Sequence, residues 1–146
     1  MDPYSAGLVT KSPYGSKKII QSSVVAVLQL KMENRALNLI HPQSRALKKY
    51  EIHEFMVTDE KGALPGKIVN RVSYIAFIEI FQGGVMVVGD EVYWNKTLLG
   101  VVAGFDDTHM PNHQNIVLYS PKRRTGKDLN INVEDPIIIQ AKKGNE

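Results

Sequence analysis

Residues 85–119 read VMVVGDEVYWNKTLLGVVAGFDDTHMPNHQNIVLY. Short apolar runs rich in β-branched residues alternate here with turn-forming residues, first Gly89-Asp90 and then Asn95-Lys96-Thr97. Such runs, bounded by Gly, Asn and Asp, are typical of β-strands joined by tight turns. The stretch therefore predicts several consecutive strands, interrupted once by a longer polar segment at residues 104–115.

The same alternation continues on both sides of this stretch. It predicts eight to ten short strands in all, with further strands near residues 18–30, 36–40, 51–58, 68–81, 129–133 and 136–140. A hairpin is predicted at Gln82-Gly83-Gly84, and Ser44 can cap one short helix that runs to Tyr50. Residues 72–81 are apolar on both faces, which favours closure of the sheet. We expect an all-β fold, a small closed or partly open β-barrel of short, mostly antiparallel strands with at most one short helix.

Length and composition indicate one globular domain. The 146 residues can bury a real core, and 43% of them are hydrophobic. Residues 1–17 carry Pro, Gly and Ser without apolar periodicity, so they are expected to form a flexible N-terminal arm before a single domain at 18–146. No secretory signal or membrane span is evident, and the chain has no cysteine. These features predict a cytoplasmic protein that does not enter membranes.

The net charge of +3 is compatible with polyanion binding, but the distribution of charge argues against nucleic acid as a partner. The basic residues form small groups at the ends of predicted strands, such as Lys122-Arg123-Arg124 with Lys127. None of these groups alternates with aromatic side chains, as single-strand binders require. An ordinary solvated surface explains them better.

The polar segment 104–115 is the first candidate site. It holds two of the four histidines, two adjacent acids and three amides, and loops held by rigid strands commonly bind small molecules. Trp94, beside a predicted turn, is a candidate neighbour, although packing in the core or at its rim explains it better. The predicted ligand-binding residues are Trp94, Asp106, Asp107, His109, Asn112 and His113.

A divalent metal is an alternative for the same segment. Imidazole and carboxylate ligands suit zinc, and Asp106, His109 and His113 could supply three of them at a catalytic site. Pro111 argues against the helix that would place both rings on one face. The competing explanation is structural, since Asp and Asn side chains in loops often bond local backbone.

His53 is the second candidate, as a nucleophile or proton shuttle, because imidazole titrates near neutral pH. Period-two alternation predicts that Glu51 shares a strand face with His53, whereas Glu54 lies on the opposite face. Either carboxylate could orient the ring or raise its pKa. The alternative is a half-exposed strand histidine without a function.

Two stretches resemble the glucitol/sorbitol-specific IIA component family of the sugar phosphotransferase system. The first is Lys49-Tyr50-Glu51-Ile52-His53, and the second runs from Leu99-Gly100-Val101-Val102-Ala103-Gly104 through His113 to Ile116-Val117-Leu118. The resemblance implies a small β-barrel phosphocarrier in which His53 accepts the phosphoryl group and His113 lies nearby. The apparent extra hairpin at 66–85 and the longer arm depart from that family.

No GxSxG, GxGxxG or Walker motif is present, so the sequence favours a binding or accessory protein over an enzyme. The expected partner is a small molecule or another protein. A protein partner or a second copy of the chain could pair with an exposed strand at 136–140.

Overall fold

The computed structural model describes residues 13–142, and that part of the chain forms twelve strands and no helix. The strands are β1 (Ile20–Val27), β2 (Lys31–Met32), β3 (Leu37–Asn38), β4 (Ser44–Leu47), β5 (Ile52–Thr58), β6 (Ile68–Val69), β7 (Val72–Gln82), β8 (Gly84–Val87), β9 (Glu91–Trp94), β10 (Thr97–Asp106), β11 (Gln114–Tyr119) and β12 (Pro136–Gln140). The all-β prediction is confirmed.

Seven of these strands close into a barrel. Their order around the wall is β1-β12-β9-β10-β11-β5-β7, and β7 pairs back to β1. Every pair in the wall is antiparallel except β5 with β11, which run parallel. Closure gives each of these strands two hydrogen-bonded neighbours, which removes the open edges of the sheet. The predicted closed β-barrel is therefore confirmed.

The barrel interior is filled by alternate residues of the wall strands. On β11, Ile116 and Leu118 point inward, and on β5, Phe55 and Val57 do the same. Together with Phe105 and other fully buried aliphatic side chains they form one continuous core. Because side chains alternate along a strand, the residues between these inward-pointing ones lie on the outer face of the barrel.

A two-stranded ribbon of β3 and β6 belongs to a second apolar layer on the outside of the wall. Leu37 and Val69 from the ribbon pack in one cluster with Met56 of β5 and Val117 of β11. Strands covered on both faces must be apolar throughout, which explains the continuous hydrophobic runs in the sequence. The parallel pair β5–β11 is therefore held rigidly from both sides.

The structure corrects two predictions near β4 and β8. Residues 44–47 form a strand, not a helix, because β8 offers backbone partners along Ser44–Leu47 and tertiary pairing overrides a weak local helix propensity. The hairpin predicted at 82–84 is wrong for the same reason. Gly83 alone lies between β7 and β8, and β8 pairs with β4 instead of folding back on β7.

Two predictions near the C-terminus are also corrected. Residues 129–133 form turns and loop, not a strand. β12 is not an exposed strand, because it pairs with β1 on one side and β9 on the other. Docking of a partner strand on 136–140 is excluded, since the backbone groups of β12 already have their partners.

Residues 1–12 of the predicted arm lie outside the described residues. Its last residue, Lys17, forms an ion pair with Asp90 in which both side chains are largely buried, so the end of the arm is fixed to the barrel. Within residues 13–142 there is no helix with the length and apolarity that a membrane-spanning segment needs.

Candidate functional site

The parallel pair β5–β11 brings two distant parts of the chain together. Its register places Gln114, the first residue of β11, beside His53, the second residue of β5. In a parallel pair the segments that precede the two strands emerge at the same end of the sheet. The β10–β11 loop (residues 107–113) therefore lies next to the turn at residues 48–51 that leads into β5.

His53 sits at this junction and is only 2% exposed. Its Nε2 lies 3.0 Å from Oε1 of Glu51, so an Nε2–H tautomer donates to the carboxylate. Within residues 13–142 the other ring nitrogen, Nδ1, is buried and makes no hydrogen bond of normal geometry, although the backbone of Gln114 lies close enough to raise the pKa of the ring. A buried polar atom without a partner calls for an explanation, and a ligand in the adjoining cleft is one such explanation.

Burial lowers the pKa of His53, although the hydrogen bond and charge of Glu51 act in the opposite direction. Burial alone would raise the pKa of Glu51, but the hydrogen bond from His53 and the backbone N–H of Lys48 lower it overall. The pair is thus a neutral imidazole beside a carboxylate at neutral pH. That arrangement suits a hydrogen-bond acceptor or a proton acceptor at Nδ1.

We expect the His53 imidazole to titrate below its ordinary value of 6.5. Because the unfolded chain then takes up the proton first, the free energy of unfolding should fall as the pH drops below 6.5 and should be independent of His53 above it. Histidine NMR titration and urea unfolding above and below that pH test this. His53→Gln should flatten the slope, whereas replacement of the exposed His41 by Gln should not.

A chain of side-chain hydrogen bonds links β4 to the loop beside His53. Arg45 Nε donates to Oε1 of Gln114 at 2.6 Å, and Gln114 Nε2 donates to Oδ1 of Asp107 at 2.7 Å. Gln114 is only 5% exposed, so its amide is fixed in one orientation by these two partners. The guanidinium of Arg45 is consequently held next to the His53–Glu51 pair.

These residues enclose a cleft of about 220 Å³. Its lining combines charged and amide side chains with apolar ones. The lining residues are Arg45, Glu51, Ile52, His53, Met110, Pro111, Asn112, His113 and Gln114, of which Ile52, Met110 and Pro111 form an apolar rim. Two of the predicted ligand-binding residues, Asn112 and His113, are in this set together with His53. The structure thus joins the two candidate sites into one.

His113 also faces a cluster on the outer side of the wall. Its Nε2 donates to Oε1 of Glu54 at 3.1 Å, and its ring meets the Phe77 ring edge-on at 4.9 Å. His109 stacks on His113 with ring centroids 5.2 Å apart, and Arg35 Nη2 donates to His109 Nε2 at 3.3 Å. Burial raises the pKa of Glu54, and the hydrogen bond from His113 opposes that rise. This cluster fixes the loop against the barrel.

Asp106 is the last residue of β10 and is 1% exposed. Its carboxylate accepts hydrogen bonds from the Thr108 hydroxyl at 2.8 Å, the Thr108 backbone N–H at 3.2 Å and the Asn115 amide at 2.9 Å. Asp106 therefore closes the loop on itself, as expected for an acid at a turn. It does not line the cleft.

The three residues proposed as metal ligands are engaged elsewhere. Asp106 bonds Thr108 and Asn115, His109 accepts from Arg35, and His113 donates to Glu54. Within residues 13–142 no group of three or more His, Asp or Glu side chains is arranged to hold a metal ion. The metal site stays a prediction of the sequence, without support from this geometry.

Trp94 is not brought to the loop. It pairs with Thr97 at the start of β10, whereas the loop begins after Asp106 at the other end of the strand. At about 3.3 Å per residue these two positions are roughly 30 Å apart along the strand. The Trp94 indole N–H instead donates to Asp135 at 3.0 Å, and the ring packs against the core.

A larger hollow of about 460 Å³ is lined by Val27, Gln29, Lys127, Asn130, Ile131 and Asn132. None of its polar side chains is buried, and no titratable pair lies in it. Volume alone is a weaker indicator of a site than convergent buried polar groups. The smaller cleft is therefore the better candidate.

The sequence did not single out Arg45, Glu51 and Gln114 together as a site. Glu51 had a usable signal, because a two-residue spacing in a strand places it on the same face as His53. Arg45 and Gln114 had none, since their meeting depends on the pairing of β5 with β11 and of β4 with β8.

Comparison with known proteins gives one family. A sequence model described as "Family of unknown function (DUF6917)" matches residues 14–140. Neither the curated proteins nor the solved structures contain a match to the chain.

Proposed function

We propose, for a chain that belongs to the DUF6917 family, that the cleft beneath the β10–β11 loop binds a small molecule. The protein then acts as a binding or accessory protein and not through a chemistry of its own. A cytoplasmic location is part of this proposal, supported by the absence of cysteine from the chain.

One observation carries the proposal. His53 is almost fully buried in the wall of the cleft, and within residues 13–142 its Nδ1 makes no hydrogen bond of normal geometry. An unsatisfied buried polar atom costs stability, so a residue with a purely structural role would normally have both nitrogens bonded. A ligand that contributes a hydrogen bond at this position would offset that cost.

The surroundings of His53 are built before any ligand arrives. β5 and β11 are covered by apolar layers on both faces, and Gln114 is held by Arg45 and Asp107. A rigid site loses little conformational entropy on binding, which favours affinity in a small cleft. The lining also mixes a few fixed polar groups with an apolar rim, as binding sites commonly do.

Filling the cleft should abolish binding. Ile52 lines the cleft and is 46% exposed, so tryptophan at this position occupies the cleft with little disturbance of the core. We expect fragments that bind the native protein in ligand-observed NMR to lose at least about tenfold in affinity to Ile52→Trp.

Leu98→Trp is the matched control, because Leu98 is also an exposed strand residue, 42% exposed, and lies outside the cleft. Fragment binding should survive this change. Binding that is equal in Ile52→Trp and in the native protein, or a fragment library without any ligand for the native protein, would contradict the proposal.

A second candidate function is phosphoryl carriage on His53, which the resemblance to the glucitol/sorbitol-specific IIA family implies. Arg45 beside the ring favours it, because guanidinium groups stabilise phosphoryl groups. The burial of His53 opposes it, since a donor protein must reach the ring. An acid-labile phosphate on the native protein that is absent from His53→Gln and present on His41→Gln would establish this function.

A further inference from the structure

We infer that the ligand of this cleft carries an anionic group, a carboxylate or a phosphate, which the guanidinium of Arg45 holds. The inference rests on the proposed function, because it specifies the chemistry of the molecule that occupies the same cleft. Three observations support it: the unused donors of Arg45, the occupied carboxylate of Glu51, and the size of the cleft.

Arg45 uses one of its five N–H donors. Its Nε donates to Gln114, and its two terminal nitrogens donate to no residue between 13 and 142. By contrast, the guanidinium groups of Arg71 and Arg123 form ion pairs with Glu33 and Asp59. Arg45 thus presents unpaired donors to the cleft, in the planar arrangement that matches a carboxylate or phosphate.

Glu51 is the other charged residue of the lining, and its carboxylate is already engaged. Oε1 of Glu51 is bonded by His53 Nε2 at 3.0 Å and by the backbone N–H of Lys48 at 3.1 Å. Glu51 keeps its negative charge, since the imidazole that bonds it is neutral, so the donors that remain for an anion are the terminal nitrogens of Arg45.

The dimensions of the cleft limit the rest of the ligand. A volume of about 220 Å³ is smaller than the roughly 300–1,000 Å³ of sites that hold drug-sized molecules. Ile52, Met110 and Pro111 add apolar surface to the lining beside the charged residues. The expected ligand is a small organic acid or phosphate ester, with an anionic group at Arg45 and a short apolar body against the rim.

Butyrate and butyramide test the charge directly, because they have nearly the same shape and differ in the anionic group. We expect butyrate to shift the His53 imidazole resonances and the amide of Gln114 saturably, and to bind at least about tenfold more tightly than butyramide. Inorganic phosphate and acetate, titrated in the same way, distinguish a phosphate from a carboxylate as the preferred anion.

Arg45→Gln should remove the difference in affinity between butyrate and butyramide, whereas Arg71→Gln, at an exposed ion pair outside the cleft, should leave it intact.

Equal binding of the two compounds to the native protein overturns the inference but leaves the cleft as a binding site. The inference is also overturned if butyrate, acetate and phosphate all fail to bind while uncharged fragments bind in the cleft. Absence of any ligand for the cleft removes both the inference and the proposed function. The comparison on the native protein needs no variant, so a folding defect of Arg45→Gln does not affect it.

Discussion

Gly126→Ala is expected to destabilise the fold by about 3 kcal/mol, near the upper end of what overpacking costs. A methyl group at this position would overlap the backbone carbonyl of Ile75 on β7 and would lie 3.1 Å from Cγ1 of Val27. The carbonyl belongs to a wall strand of the closed barrel and cannot move aside. Gly126 itself is fixed by its N–H, which donates to the Tyr74 carbonyl. Urea unfolding measures the loss.

Gly62→Ala is the control for this prediction. Gly62 is exposed, and an added methyl group there meets no atom within 4 Å. The free energy of unfolding of Gly62→Ala should lie within about 0.5 kcal/mol of that of the native protein. If the two variants are equally stable, the segment that follows β11 does not pack on β7 as described.

Asp106→Ala is expected to cost about 3 kcal/mol of unfolding free energy. The substitution removes the acceptor of three hydrogen bonds and leaves the fully buried Asn115 amide without a partner, since its Oδ1 is already unpaired. The loss should be the same with and without a metal chelator, because the role of Asp106 is to hold the loop together.

Asp107→Asn separates charge from structure in the same loop. The asparagine keeps an acceptor for Nε2 of Gln114, so its stability should change by no more than about 0.5 kcal/mol. A loss below about 1 kcal/mol in Asp106→Ala would contradict the structural role of Asp106. A loss that depends on added zinc would revive the metal hypothesis.

The local features of the fold could be predicted because they depend on neighbouring residues. The β9–β10 hairpin follows from Asn95 and Lys96 between two apolar runs, and Asn95 adopts the positive φ of 54° that such a turn requires. The errors arose where tertiary pairing decided the outcome. Residues 44–47 carry a helix-capping pattern, yet β8 recruits them as a strand. Residues 82–84 carry a hairpin pattern, yet β7 and β8 pair with different partners.

The site was only partly predictable for the same reason. His53, Asn112 and His113 were identified from their chemistry, and all three line the cleft. Their meeting depends on the parallel pairing of β5 with β11, two strands far apart in the chain, which no local pattern encodes. Trp94 was wrongly placed near the loop because proximity in sequence does not measure distance along an extended strand.

The loop itself shows how a polar cluster can be structural. Its acids and imidazoles have the chemistry of metal ligands, but a closed set of hydrogen bonds to Thr108, Asn115, Arg35 and Glu54 uses most of them. These bonds hold the loop in the position that completes the cleft. The proposed ligand-binding role therefore belongs to the residues that line the cleft, Asn112 and His113 of the loop among them.

Chemical-shift mapping with the strongest fragment ligand decides whether the cleft beside His53 is the binding site. We expect the perturbed backbone amides to include residues 45, 51–53, 110 and 112–114, and the His53 ring to respond more than that of His41. Perturbations confined to Gln29, Lys127 and residues 130–132, around the larger hollow, would contradict the assignment of the cleft as the binding site.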